Sequence, residues 1–196
     1  MEETLQYDKS TNSYSRGFSL IELMLVLTIL SILLFIAVPN FSGFVSQTRL
    51  SGAKDRLISS LSFARTEAIK RGSPSIICRS VDGINCAGNI VIAATRDWAG
   101  GWLIFSDENE NNLLDNNELM RMETDLNSSL TIEFSRGDLI VFNHLGVLQN
   151  AAVNEQTFVL SDAGDNAAVT ALSVLATGRI RSCKDWNSGG GSCNDS

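Results

Sequence analysis

From Leu23 to Val38 the chain runs through 16 residues without a charge, and Phe18 to Ile21 extend the stretch to 21 positions broken only by Glu22. A helix of about 20 apolar residues is long enough to cross a bilayer. A secretory signal peptide would carry a basic start, a shorter apolar core and a small-x-small cleavage site behind that core. Here the small residue, Gly17, lies in front of the core, and Val38-Pro39-Asn40 follows it. The segment is therefore expected to remain in the mature chain. A plain anchor leaves Glu22 without a purpose, because an acidic residue at the centre of a membrane helix costs about 2.5–3.5 kcal/mol, and less toward its ends. A cut after Gly17 supplies the missing partner. The new amino terminus at Phe18 would stand four residues before Glu22, and ammonium and carboxylate can neutralise each other within one chain or between neighbours.

The run Arg16-Gly17-Phe18-Ser19-Leu20-Ile21-Glu22-Leu23 resembles the class III signal of type IV pilins and type II secretion pseudopilins. The resemblance implies that Gly17 precedes the cut, that Phe18 becomes the N-methylated first residue and that Glu22 serves assembly. It also implies the partners: a prepilin peptidase, the inner membrane and other pilins met through the N-terminal helix. The chain would first be a single-pass inner-membrane protein with its body in the periplasm, then part of a pilus or pseudopilus. The leader, residues 1–17, departs from the pattern in being long and in carrying Glu2, Glu3 and Asp8 against Lys9 and Arg16.

Beyond the apolar run, Pro39 and Gly43 predict a kink or a short melted turn. Leu50, Ala53, Leu57, Leu61, Ala64 and Ala68 then recur at helical spacing, with Arg49, Lys54, Arg56, Arg65, Lys70 and Arg71 opposed to Asp55 and Glu67. This reads as an amphipathic helix with a solvated basic face, stopped by Gly72 and Pro74. If continuous from Phe18 to Lys70, it would be roughly 80 Å long at about 1.5 Å per residue. After Pro74 the pattern changes to short β-like runs: Ser75–Arg79, Asn89–Thr95, Trp102–Ser106, Ser129–Ser135, Leu139–Asn143, Thr157–Leu160 and Val169–Ala176. Gly, Asn and Asp punctuate them. The expected class is α+β, a long N-terminal helix packed on an antiparallel sheet or β-sandwich, which the pilin resemblance also implies. Its parts are a leader (1–17), a membrane or filament-core helix (18–38), an amphipathic helix entering the body (39–72) and a β-rich domain (73–196).

The formal charge of −7 excludes a protein that coats nucleic acid or acidic lipid with its whole surface. Four cysteines fall as two close pairs, Cys78 with Cys86 and Cys183 with Cys193, without Cys-x-x-Cys spacing and with His144 as the single histidine. Zinc is disfavoured. Of the pairings that four cysteines allow, short-range closure of both loops is expected, in an oxidising compartment; the alternative is four buried thiols. No nucleophile elbow, phosphate-binding loop or metal cluster is present in the sequence, so an enzyme is not expected.

Two local motifs stand out. From Asp107 to Glu118, oxygen-bearing side chains fall at the calcium-loop positions 1, 3, 5, 9 and 12, but Asn112 replaces the usual glycine and the flanks do not read as helices. No cofactor is expected, with calcium at this loop as the alternative. Near the C-terminus, Gly178-Arg179-Ile180-Arg181 is followed by Lys184 and Trp186. In a strand, alternation would put both arginines on one face, where guanidinium groups fork onto phosphate oxygens, while Trp186 offers a stacking face. This element is similar to the Gly-Arg-x-Arg motif of the FimT family of minor pilins, and the Asp/Asn-rich hairpin behind a Trp-x-x-Phe strand resembles the related GspH family. The first implies DNA contact during uptake by Gly178, Arg179 and Arg181, to which Lys184 would add a third cation; the alternative is a solvated C-terminal strand whose arginines pair with nearby acids. A GspH-like or FimU-like subunit would instead prime or cap a filament.

Overall fold

The computed structural model describes residues 17–88, 95–124, 126, 128–149, 155–162, 169–183, 185–187 and 192–194, except the side chains of residues 36–42, 185, 187 and 192–194. Residues 1–16 of the leader, most of the expected Asn89–Thr95 strand, and Lys184 lie outside the described residues. The chain divides into two compact units, one up to Asn40 and one from Phe41 onward.

A single helix, α1 (Leu20–Arg71), passes through both. In the first unit every described side chain from Leu20 to Phe35 is exposed, and nearly all are apolar. The two hydroxyls among the later turns fold back on helix carbonyls, Thr28 Oγ1 donating to Leu25 O (2.8 Å) and Ser31 Oγ to Thr28 O (2.8 Å). This satisfies the polar groups without water. Among the described residues no helix is long and apolar enough to cross a membrane; part of the expected 18–38 span falls on residues whose side chains are not described.

The melted turn expected at Pro39 is absent, since α1 is unbroken there. An interior proline removes one backbone hydrogen bond and costs about 3 kcal/mol, and an interior glycine about 1 kcal/mol; the 52-residue helix continues past both. The stop is as expected. Gly72 adopts a left-handed φ of 67° and its amide donates to Ala68 O at 3.0 Å, a glycine closure that releases the chain toward Pro74.

The body contains β1 (Ser75–Arg79), β2 (Arg96–Asp97), β3 (Trp102–Ser106), β4 (Leu119–Glu123), β5 (Leu130–Phe134), β6 (Leu139–Phe142), β7 (Glu155–Asp162), β8 (Val169–Leu175), β9 (Ile180–Cys183), β10 (Asp185–Asn187) and β11 (Ser192–Asn194). They form one sheet in the order β4-β3-β1-β6, a second in the order β2-β5-β7-β8-β9, and the hairpin β10-β11. Every pairing among them is antiparallel. The helical stripe Leu50, Ala53, Leu57, Leu61, Ala64 and Ala68 is buried, joining one core with Ile77, Trp102, Ile104, Ile140 and Phe142 of the first sheet and Ile132, Phe134, Phe158, Leu160, Leu172 and Val174 of the second. Trp98 meets Phe134 and Phe158 edge-on, with ring centroids 5.4 Å away in each case, a geometry that the ring quadrupole favours.

The first sheet is buried on its other face too. Ile76, Cys78, Leu103, Phe105, Leu139 and Val141 make a second core, closed by Cys86 and Leu114 from two loops. Double burial explains why β1, β3 and β6 read as unbroken apolar runs. β4 was not expected. Leu-Met-Arg-Met-Glu has no β-branched residue, and the strand exists through its pairing with β3 and the Arg121 guanidinium 5.9 Å from the Phe63 ring centroid. Tertiary context overrides propensity here.

Candidate nucleic-acid interface

The Gly-Arg-x-Arg element straddles a turn rather than lying within one strand. β9 begins at Ile180, so the alternation expected to align Arg179 with Arg181 does not extend to Arg179, which is exposed. The turn is closed by Gly178 N donating to Leu175 O (2.7 Å) and Leu175 N donating to Arg179 O (2.9 Å). Ile180 faces the main core. Arg181 pairs across the ladder with the buried Ser173; it is half-buried and already engaged within the body. The two arginines are thus inequivalent, and Arg179 is the more accessible.

Gly178 has a structural task. Its φ is +77°, and a Cβ at this position would collide with the Gly146 carbonyl oxygen and sit 3.0 Å from Arg65 Nε. No other residue fits that approach. Arg65, on α1, holds both turns: its Nε donates to Gly146 O at 2.9 Å and its Nη2 to Thr177 O at 3.3 Å. The expectation of a solvated basic face holds for Arg49, Arg56, Lys70 and Arg71, which are exposed, and is corrected at Arg65. Arg65 is half-buried and spent on carbonyls, while Lys70 and Arg71 both pair with the nearly covered Glu67 at 3.3 and 2.8 Å, the Arg71 hydrogen bond foremost in holding its carboxyl below the usual range. Sequence reasoning missed Arg65 and Gly146. The available signal was Asn143-His144-Leu145-Gly146, a turn signature between two apolar runs; nothing in the sequence announced that Arg65 reaches it.

The other expected site residues lie elsewhere. Gly17 and Phe18 precede α1 and are exposed, and Glu22 stands in its first turn, where the helix dipole favours a carboxylate. Cys78 and Cys86 are disulfide-bonded, closing a loop that is further tied by Asp82, whose carboxylate accepts from the Asn85 and Ile84 amides at 2.8 and 2.9 Å and from Asn85 Nδ2 at 2.8 Å. These bonds, that of the Asn85 amide first, drive its pKa far below the usual carboxylate range. Cys183 is also disulfide-bonded; the Cys193 side chain is outside the described residues.

In the Asp107–Glu118 loop, the buried Asp107 accepts from the amides of Asn111 (3.0 Å) and Asn112 (2.9 Å). Asn109 and Asn111 each donate a side-chain N–H to Asp115 Oδ2 at 2.8 Å, which lowers the Asp115 pKa. Glu118 accepts from the Asp115 amide at 2.9 Å. Asn112 takes the left-handed φ of 58° that glycine usually supplies. The loop therefore closes on its own hydrogen bonds, and among the described residues there is no group of three or more His, Cys, Asp or Glu side chains able to hold a metal ion.

A long N-terminal helix carrying antiparallel sheets, with a Gly-Phe-x-x-x-Glu sequence running into its first turn, defines a pilin-like protein. Residues 12–38 match the prokaryotic N-terminal methylation motif, and residues 53–178 match the family described as Type II transport protein GspH. The chain belongs to the GspH family, and with it to the minor pilins and pseudopilins. It is 50% identical over 46 residues to the type IV major pilin protein PilA of Myxococcus xanthus; that match spans 24% of this chain and 21% of the relative. The type IV minor pilin FimU of Pseudomonas aeruginosa shares the fold, with a TM-score of 0.52 at 22% identity over 69% of this chain and 89% of that one.

Proposed function

We propose that this chain is a minor subunit of a type IV pilus that contacts DNA during uptake. Prepilin peptidase removes residues 1–17, Phe18 is methylated, and the helix from 18 to 38 resides in the inner membrane until assembly draws it into a filament beside other pilins. The apolar surface of α1 up to Phe35 supports this, because a solvent-exposed run of that kind needs lipid or a neighbouring helix to cover it. Glu22 then sets register, since a covered carboxylate is satisfied only where the terminal amine of Phe18 lies beside it. Cys183 pairs with Cys193, completing two short disulfide loops suited to the periplasm. The role is structural and adhesive rather than catalytic.

The observation that carries the DNA reading is Arg179: an exposed guanidinium on a turn held by backbone bonds, with no ion pair among the described residues. Gly178 shapes the turn, and Arg181 and Lys184 follow it in sequence. The test is binding of a labelled duplex by the full chain in detergent over a salt series. Wild type should bind weakly and lose affinity steeply with salt, and Arg179→Gln should reduce the log–log salt slope by about one. An unchanged slope removes the DNA role. The second reading, a type II secretion pseudopilin with a purely priming role, is favoured by the description of the matching family; it predicts no DNA binding and a secretion defect on deletion.

A further inference from the structure

Two turns, 32 positions apart from Gly146 to Gly178, meet on one flank of α1. A Cβ on Gly178 would collide with the Gly146 carbonyl oxygen, a Cβ on Gly146 would lie 2.6 Å from Ile69 Cδ1, and Arg65 donates to both turns. The first turn is independently rigid: Asn143 Oδ1 accepts from the Leu145 amide at 3.0 Å and the Val147 amide at 3.2 Å, and Gly146 N donates to Asn143 O at 2.8 Å. His144 and Arg179 are exposed, and Leu145 and Ile69 are 66% and 53% exposed.

We propose that the polyanion-binding surface is composite: the His144–Gly146 turn and the Thr177–Arg179 turn form one face, with Arg179 the phosphate contact, Leu145 and Ile69 an apolar floor for the sugar and base edges, and Arg65 the residue that positions Arg179. This rests on the nucleic-acid reading above and names residues that the linear Gly-Arg-x-Arg motif does not contain. The chemistry is that of nucleic-acid recognition generally, in which a cation fixes the phosphate and adjoining surface takes up the less polar parts of the nucleotide. Arg65 suits positioning because two of its donors are occupied by carbonyls from different turns. Glu155, exposed and paired with Leu175 beside the second turn, marks the acidic border of the face.

The test measures duplex binding by the full chain in detergent, with melting temperature as the control for folding. Leu145→Glu places a negative charge on the exposed tip of the first turn without touching its hydrogen bonds; it should weaken binding on the order of tenfold at low salt, and the loss should shrink as salt rises. Arg65→Gln should weaken binding several-fold while leaving the salt slope unchanged, because Arg65 releases no counterion, and Arg65→Lys should restore part of the loss. Lys70→Gln, which removes a cation already paired with Glu67, should bind as wild type does. If Leu145→Glu and Arg65→Gln bind normally while Arg179→Gln does not, the composite face is wrong and the linear motif stands. Failure of the wild-type chain to bind duplex at low salt overturns both.

Discussion

The two parts of α1 obey different rules although the backbone is one unbroken helix. From Leu20 to Phe35 the described side chains are exposed and, apart from Glu22, Thr28 and Ser31, apolar on every face; from Leu50 onward, apolar residues form a stripe that closes the main core of the body. A helix apolar on every side belongs in lipid or among other helices, whereas an amphipathic one belongs on a globular core. The second part folds with the body, and on the function proposed above the first serves assembly, so substitutions should separate the two properties cleanly.

The largest separation is expected at Glu22. Replacing it with Ala should lower incorporation into sheared filaments at least tenfold, roughly the effect of losing one neutralising partner in an apolar setting, while membrane insertion and the melting temperature of the body stay unchanged. Recovery of the variant at wild-type levels would erase the distinction. In the second part, Leu61→Ala should do the reverse. Leu61 is fully buried, and truncating a core leucine costs about 2–5 kcal/mol, read by denaturant unfolding of the intact chain in detergent.

Acid should destabilise the body. Asp82, Glu67 and Asp115 all have folded-state pKa values below their ordinary values of 3.8, 4.5 and 3.8. Depressed carboxyl groups contribute stability above those ordinary values and lose it as they take up protons, so the melting temperature should fall from near pH 5 down to about pH 2. A flat profile would show that these hydrogen bonds are not maintained in solution. The smallest effect is expected from calcium. Since Asp107, Asp115 and Glu118 already accept hydrogen bonds within their own loop, millimolar calcium should leave the melting temperature where it is. A rise would mean that the Asn109 and Asn111 amides turn to place oxygens on a cation.

What could be read from the sequence depended on whether a feature is closed locally. The α1 stripe, its glycine stop, and the doubly buried β1, β3 and β6 each carry their signal within a few residues. The Cys78–Cys86 pairing was legible for the same reason. β4 was hidden because its residues favour helix and only the neighbour β3 makes them a strand. At the candidate interface, Arg179 was visible and its support was not. Arg65 reaches across 81 positions to Gly146, and no periodicity encodes such a contact. Arg181, read as its twin, proved half-buried because the ladder with β8 turns it toward Ser173.

Mass spectrometry of the protein purified from cells that possess prepilin peptidase tests the central claim most directly. The account predicts a chain beginning with N-methylated Phe18, in which the new amine stands by Glu22. A chain that still carries residues 1–17, or one trimmed behind Val38, would contradict it.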